Sequence, residues 1–438
     1  MSSNTHDSAK RPLGWVSLLL LGLNGIVGVG IFFAPREVAL ALPGYTGVLA
    51  YLGVGLLLLP TALVFARLGR AFPEDGGPYV YARAAFGPST AFAVGFASFV
   101  SAMFSTATVI VGLVESVRES FGWDTGSVCL SAELILLSVT MLALSRGLRL
   151  SAVVWSSITV LKALPLLALP IAAVVLAPAH LNALSTAAPR VGLGTGFMAA
   201  ALPVLFAMQG FEIVPVPAAQ VNRARWAVPL ATIASLVLAT ALYAALHAAC
   251  VAALHDVASF PSPLAAAARI FAGESFFRVV QAAATVSALG ITVGMLAMTP
   301  RYLAPLGHAD AFGGGLDQLS QRAVPLRAFA VTYALLVVVL CANTAWGSIG
   351  NLFALSSLAV MLQYAVTAAA LVVLAKWRRA GLRPLDAWPA PLSLAACGLL
   401  LASAQRAEFP LVVAIIGCGF LLRAVRARLR GGPTLPIS

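Results

Sequence analysis

The sequence predicts an all-α polytopic membrane protein with twelve transmembrane helices. Of its 438 residues, 61% are hydrophobic and only 10% are charged, whereas a soluble globular domain carries about 25% charged residues. Apolar stretches near the ~20 residues that cross a bilayer recur along the whole chain. The basic residues between these stretches fall unevenly on alternate sides. These three observations predict a chain embedded in the lipid bilayer.

Twelve apolar stretches qualify as spans. The uncharged stretch 328–375 is long enough for two of them and is divided at the polar, glycine-containing segment 343–351. The last two spans are the weakest, because Pro389 and Pro391 open one and the other is short, so eleven spans is the alternative. The spans begin near Leu13, Thr46, Ala84, Gly126, Leu150, Gly196, Trp226, Val279, Ala328, Gly350, Trp388 and Phe409.

The basic residues indicate the orientation of the chain. Alternate connections place 20 Lys and Arg residues on one side and 6 on the other, and Lys162 lies inside a span. Cytoplasmic loops carry the excess of basic residues, so both termini are predicted to be cytoplasmic. The net charge of +12 therefore reflects topology, and no nucleic-acid partner is expected. The alanine- and arginine-rich composition and short tails indicate a multi-pass protein of a bacterial inner membrane.

The first span contains a glycine cluster that predicts a break in the helix. Residues 24–30 read Asn-Gly-Ile-Val-Gly-Val-Gly and lie near the middle of an apolar stretch that starts at Leu13. Each glycine costs about 1 kcal/mol relative to alanine inside a helix. Unwound backbone in a bilayer occurs only where it lines a cavity or is buried in protein. Broken helices of this kind form substrate sites in secondary transporters; close helix packing through small residues is the alternative.

Lys162 lies deep in the fifth predicted span. Its distance from Leu150 is about 18 Å at 1.5 Å per residue, which is past the middle of a hydrocarbon core of about 30 Å. Burial of an ammonium disfavours its charged form, so Lys162 is a candidate for proton coupling. The alternative is a lysine whose long side chain reaches the outer interface.

Glu212 is predicted to be the one carboxylate well inside a span of the second half, and the other acids are assigned mainly to loops or span ends. Intramembrane acids are functional by default. Three alternatives are open for Glu212: it senses protons, it forms part of an outer gate, or it is solvated near the outer surface. The five cysteines are odd in number and scattered through apolar segments, so no disulfide, metal or other cofactor is expected.

Three motifs resemble the amino acid–polyamine–organocation superfamily, in order and at its spacing. The stretch 67–81, followed by Ala-Phe-Gly-Pro at 85–88, is similar to the loop between that family's second and third helices. The glycine cluster and the residues to Pro35 resemble its first helix. The third match is Phe-Ala-Met-Gln-Gly-Phe-Glu at 206–212, with its continuation at 220–229. The resemblance covers essentially the whole chain.

The resemblance implies a LeuT-like fold of two inverted five-helix repeats, with discontinuous helices 1 and 6 and two peripheral helices. Breaks at 25–30 and around Gln209-Gly210 lie in corresponding segments of the two halves, which is the best sequence pointer to a binding site. The implied divisions are a cytoplasmic tail at 1–12, repeats at 13–180 and 190–380, helices 11 and 12 at 385–425, and a cytoplasmic tail at 426–438.

An amino acid is expected to bind between the two breaks. Unpaired amides where helix 1 restarts suit its carboxylate, and unpaired carbonyls at both breaks suit its ammonium. The segment 159–164 resembles family members in which a lysine replaces a coupling sodium, so Lys162 and Glu212 are candidate coupling residues. Phe206 matches an aromatic residue that closes over the substrate. The candidate substrate-binding residues are Ile26, Val27, Gly28, Val29, Gly30, Phe206, Ala207, Met208, Gln209 and Gly210.

These features predict a secondary active transporter of amino acids that works by alternating access, coupled to protons or operating by exchange. Few acids within the spans and no tryptophan near the expected site argue against a cradle for cations and favour neutral, apolar amino acids. A basic amino acid or polyamine antiporter is the alternative. An intramembrane enzyme would need paired catalytic side chains on facing spans, and the sequence has none. The expected partners are the amino acid, protons and the lipid bilayer, with the oligomeric state left open.

Overall fold

The computed structural model describes residues 14–28, 30–74, 76–121, 126–146, 152–176, 192–308, 315–316, 318–320, 324–346, 349–404 and 409–429. Within these ranges the regular structure is helical, without a strand. The helices of the first part are α1 (Trp15–Ile26), α2 (Gly30–Ala41), α3 (Thr46–Ala71), α4 (Pro78–Phe86), α5 (Pro88–Phe121), α6 (Gly126–Ser145), α7 (Ala152–Leu176) and α8 (Leu193–Met208).

After α8 the chain makes two short 3-10 turns, Phe211–Ile213 and Ala218–Gln220. The helices that follow are α9 (Ala224–Ala253), α10 (Pro263–Leu303), α11 (Pro305–His308), α12 (Leu326–Trp346), α13 (Ile349–Lys376), α14 (Pro389–Ala402) and α15 (Phe409–Leu429).

The prediction of a polytopic all-helical membrane protein is confirmed. In the described ranges, nine helices are long and apolar enough to cross a membrane, and α1 with α2 forms a tenth candidate that is bent by 47°. Two shorter apolar segments, Val160–Leu176 and Phe409–Val425, lie in α7 and α15. Twelve spans therefore stays a prediction.

At two of the predicted span starts, the helix does not begin at the predicted residue. Ala84 lies inside α4, and the long helix α5 begins instead at Pro88, because Gly87 has a φ of +88° and interrupts the helix. Val279 lies inside α10, whose residues run from Pro263 with a bend at Gly273 (φ +75°). A glycine at positive φ separates two helices in the first place and bends one helix in the second, since other residues rarely adopt that conformation.

The helices pack around two main hydrophobic cores. The first is built chiefly by α2, α3, α8 and α9, and the second by α5, α6, α10 and α12. Both α7 and α13 contact helices of each group. On α7 the buried residues Lys162, Leu166 and Leu169 recur at helical spacing, while Leu161 and Leu164 are exposed. One face of α7 is thus turned to the protein and the other is turned away.

Contacts between helix ends agree with the predicted alternation of the spans. Trp15 at the start of α1 packs edge-on against Trp226 near the start of α9, with ring centroids 6.2 Å apart. Arg67 near the end of α3 donates to the carbonyl of Asp386, just before α14, at 2.7 Å. The predicted topology places all four of these ends on the cytoplasmic side.

Candidate functional site

The first span is broken between α1 and α2, and the break is shorter than the sequence predicts. Asn24 and Gly25 remain in α1, which ends at Ile26, and α2 begins at Gly30. The amides of Val27 and Gly28 turn back to the carbonyls of Leu23 and Ile26. Val29 lies outside the described residues. Unwinding is therefore confined to the last residues of the glycine cluster.

The second break lies where the sequence predicts it, at Gln209 and Gly210. Gln209 is extended (φ −64°, ψ 148°) and ends α8, and Gly210 has a φ of +128° before the 3-10 turn at Phe211–Ile213. A side chain would be strained at this φ, so glycine is required there.

The two breaks touch through their main chains. A Cβ atom at Gly210 would lie 2.3 Å from the carbonyl carbon of Gly25, and one at Gly30 would lie 2.8 Å from the Cα atom of Ala207. Side chains at these glycines would therefore force the segments apart. The structure thus brings Gly25, Ile26 and Gly30 of the first break together with Ala207 and Gly210 of the second. Phe206, in the last turn of α8, is buried as well.

Lys162 reaches the first break from α7. Its Nζ donates to the carbonyl oxygen of Asn24 at 3.3 Å and also to that of Val27. Only 1% of the residue is exposed. The alternative that this lysine extends to the outer interface is therefore wrong, because its ammonium is bound at the end of α1. The positive charge lies at the negative end of that helix, where it is favourable.

Tyr243 of α9 joins the two breaks, and sequence reasoning missed it. Its hydroxyl lies 2.8 Å from the carbonyl oxygen of Ile26 and 3.2 Å from that of Ala207. A buried phenol needs a hydrogen-bond acceptor, so a tyrosine in the middle of an apolar span was a signal. The carbonyls expected to receive the substrate's ammonium are, in this conformation, bound by Lys162 and Tyr243.

Gln209 connects the second break to α5 and α13. Its amide nitrogen donates to the Ser357 hydroxyl at 3.2 Å, and its amide oxygen accepts from the Ser356 hydroxyl at 3.3 Å. Ser356 in turn lies 2.6 Å from the Ser105 hydroxyl of α5. The break is therefore held to helices of the second core by side-chain hydrogen bonds.

Glu212 stabilises the chain just after the second break. Its Oε2 accepts a hydrogen bond from the amide of Gly210 at 2.8 Å and one from the Tyr364 hydroxyl at 2.9 Å. Four residues later, the Val216 carbonyl accepts from the amide of Gly76, in the connection between α3 and α4. The predicted topology places that connection on the cytoplasmic side. In that topology, Glu212 lies between the second break and the cytoplasm, which argues against the outer-gate and outer-surface alternatives.

A small cavity lies beside α2, one turn from the first break. Its lining includes Phe32, Phe33, Glu115 and Gln281, and its volume is about 30 Å³. A water molecule needs about 10–15 Å³ on this measure, so the cavity has room for only a few waters and not for an amino acid. Where the main chains of Gly25 and Gly210 meet, the two breaks are closed against each other.

The structure also shows a buried carboxyl that the sequence reasoning missed. Glu133 of α6 is 4% exposed, although the acids other than Glu212 were assigned mainly to loops or span ends. It lies seven residues after Gly126, the predicted start of the fourth span. Counting residues from that start would have found it, because an acid so far into an apolar span is already below the surface.

Comparisons with known proteins agree with this architecture. The sequence profile of the amino acid permease family matches residues 13–423. An uncharacterised transporter of Mycobacterium tuberculosis is 26% identical over 363 residues, which cover 76% of this chain and 74% of the relative. A branched-chain amino acid permease of Bacillus subtilis is 30% identical over 267 residues, 56% of each chain. The cationic amino acid transporter 4 of Mus musculus is 23% identical over 261 residues, 55% of this chain and 40% of the relative.

Proposed function

Because the chain belongs to the amino acid permease family, we propose that it carries neutral, apolar amino acids across the cytoplasmic membrane by alternating access. The substrate zwitterion binds between the α1–α2 break and the break after α8. Its transport is coupled to protons. The family and the relatives are transporters, not enzymes, which leaves the intramembrane enzyme without support.

The contact of Lys162 with the carbonyls of Asn24 and Val27 is the observation on which the proposal depends. Unpaired carbonyls buried in a membrane need a donor, and the lysine ammonium supplies one together with a positive charge. When Lys162 loses its proton, the charge disappears and the grip on α1 weakens. A proton can therefore change how firmly the first break is held, which is the basis for coupling.

Substrate binding requires the two breaks to separate. Gly25 and Gly210 are in main-chain contact, so an amino acid fits between them only after they move apart. Its ammonium then takes the carbonyls of Ile26 and Ala207 that Tyr243 binds in the closed conformation. Its carboxylate binds the free amides at the start of α2, which lie at the positive end of that helix.

The remaining parts of the proposal concern the whole chain. It has twelve spans and cytoplasmic termini, in the cell inner membrane. Residues 13–180 and 190–380 form two inverted repeats, as the breaks in α1–α2 and after α8 support. Substrate release to alternate sides follows from motion of these broken helices against α5 and α13, where Gln209 is hydrogen-bonded.

Neutral amino acids are favoured over basic ones by the state of Glu212. This carboxylate lies two residues from the second break, but its Oε2 already accepts two hydrogen bonds. It is therefore engaged in holding the chain and is poorly placed to pair with a second cationic group on a substrate. The Bacillus subtilis relative is named for branched-chain substrates. The name of the mouse relative makes basic amino acids the second candidate.

Uptake of labelled amino acids into proteoliposomes tests the substrate class. We expect leucine, isoleucine, valine or alanine to accumulate with an inward proton gradient, and lysine and arginine not to compete. Preference for lysine or arginine would instead establish the second candidate.

The coupling role is tested by Lys162→Ala. We expect this variant to lose pH-coupled accumulation while remaining folded, because no cation then holds the first break. Lys376→Ala, at the end of α13, is the matched control and should transport normally. Retained pH-dependent uptake in Lys162→Ala would refute coupling through this residue.

A further inference from the structure

Glu133 of α6 is a buried acid in the second core, away from the two breaks. It is 4% exposed, and its Oε2 has no hydrogen-bond partner within the part of the chain that the structure describes. The same face of α6 continues with Leu137, Met141 and Leu144, which are all buried in the apolar core shared with α5, α10 and α12. The surroundings of the carboxyl thus offer little to stabilise a negative charge.

The charged group that faces Glu133 is itself an acid. Glu115 lies six residues before the end of α5, and Glu133 lies seven residues after the start of α6. At 1.5 Å per residue, both carboxyls are about 10 Å from the connection between these helices. Glu115 is near enough to repel the Glu133 carboxylate electrostatically. Two neighbouring acids, one of them buried, favour a state in which the buried one holds a proton.

The nearby cation is already bound to Glu115. Arg118 donates from Nε and from a terminal nitrogen to the two oxygens of Glu115. Among the described residues, the other titratable neighbour is Cys129, one turn before Glu133 on α6. The negative charge of Glu115 is thereby stabilised, and that of Glu133 is left without a described partner.

The other helices against α6 add no charge at this depth. On α10, Thr285 and Leu289 line an apolar cavity together with Ala132, the neighbour of Glu133 in sequence. The charged residues of α10 in this region, Glu274 and Arg278, interact with each other nearer the start of the helix.

On α12, the hydroxyl of Tyr333 lies 3.0 Å from that of Ser138, five residues beyond Glu133 along α6. The part of α12 that follows Tyr333 in sequence is apolar and uncharged from Ala334 to Leu340. No positive charge from α10 or α12 therefore faces Glu133 in the described ranges.

We propose that Glu133 is a proton-binding site, separate from Lys162, and that Glu115 is the group through which it exchanges its proton. An ionised carboxylate with an unpaired oxygen is strongly unfavourable in this core, and a bound proton removes the charge. The Glu115 side chain is 41% exposed and lines the cavity beside Phe32 and Phe33. It therefore connects Glu133 to water.

The exchange moves one proton and one charge. A proton on Glu115 passes to Oε2 of Glu133, directly or through a water molecule: the O–H bond at Glu115 breaks as one forms at Glu133. The negative charge moves from Glu133 to Glu115, where Arg118 binds it. The cavity that Glu115 lines is next to α2, so opening of the broken first span would change the access of water to this pair. The coupling of this proton to transport rests on the proposed function.

Infrared spectroscopy of the purified protein in lipid nanodiscs tests the site without any transport measurement. The C=O stretch of a protonated carboxyl is resolved from that of a carboxylate. At mildly acidic pH we expect Glu133→Gln to lose the absorption of one protonated carboxyl per molecule. Glu274→Gln, an exposed and ion-paired acid on α10, is the matched control and should lose none. An unchanged absorption in Glu133→Gln would overturn the proposal.

A second variant separates the site from a folding defect. In Glu115→Gln the repelling charge is absent and Glu133 is retained, so the protonated absorption of Glu133 should still be present at acidic pH and should disappear at a lower pH than in the parent. The same titration in both proteins would overturn the pairing of the two acids.

In proteoliposomes, Glu133→Gln is expected to show a weaker dependence of uptake on pH than the parent. An unchanged pH dependence would show that Glu133 takes no part in coupling, even if the infrared measurement detects its proton. Absence of amino acid uptake by the parent protein would instead refute the proposed function and leave the infrared evidence for the proton site standing.

Discussion

Replacing Tyr243 by phenylalanine removes one oxygen atom from the junction of the two helix breaks. The phenyl ring keeps its edge-on contact with Tyr51, whose ring centroid lies 6.2 Å away. What is lost is the hydroxyl between the carbonyls of Ile26 and Ala207, at 2.8 and 3.2 Å. Both carbonyls then lack this donor while the protein is closed and empty.

The magnitude follows from the cost of an unsatisfied buried carbonyl. Such a group costs about 1–3 kcal/mol, and one hydroxyl proton serves both carbonyls, so the expected cost is near the lower end. The penalty falls on the closed, unliganded protein, because in the proposed binding mode the ammonium of the substrate supplies the missing donor. Substrate binding should therefore tighten, by a factor of about 5 for 1 kcal/mol.

Binding of a neutral amino acid to the purified protein, measured by calorimetry, checks this prediction. Tyr51→Phe is the matched control, since the Tyr51 hydroxyl has no hydrogen-bond partner among the described residues. We expect the dissociation constant to fall in Tyr243→Phe and to stay unchanged in Tyr51→Phe. Weaker binding in Tyr243→Phe would show that the hydroxyl contacts the substrate instead of competing with it, which refutes this reasoning.

Two further substitutions address the second break. Gly210→Ala should abolish transport, because its Cβ would lie 2.3 Å from a main-chain carbon of the first break at a φ of +128°. Gly398→Ala is the control and should leave uptake intact, since no atom lies within 4 Å of the added Cβ. Normal uptake by Gly210→Ala would contradict main-chain closure. Gln209→Leu removes two hydrogen bonds to α13 of about 1 kcal/mol each. We therefore expect a several-fold change in the maximal uptake rate. An unaltered rate would show that these hydrogen bonds do not resist the proposed motion of the second break against α13.

The sequence predicted how deep a residue lies in the membrane and where the helical backbone breaks, but it predicted poorly which side chains contact each other. The glycine cluster and Gly210 predicted both breaks, because few residues tolerate those conformations. The depth of Lys162 followed from its distance along an apolar helix. The helical state of Asn24 and Gly25 could not be predicted, since it depends on contacts with α7 and the second break that lie far away in sequence.

The residues that were missed show the same limit. Tyr243 looks like any aromatic residue of an apolar span until α9 is placed beside both breaks. The face of α6 that carries Glu133 was unknown from sequence, although its depth could have been counted. Periodicity indicates that a side chain is deep in the membrane, but only the packing of the helices identifies the groups that receive its hydrogen bonds.

The meeting of Gly25 with Gly210 has a consequence for how specificity can vary. The groups in contact at this closure are peptide groups, which every residue type has. The contact therefore does not depend on side-chain chemistry. Substitutions on α5, α10 or α13 can change the shape of the proposed pocket for a substrate side chain without changing the contact between Gly25 and Gly210. In the proposed binding mode, selectivity and closure are thus separate properties that can be altered independently.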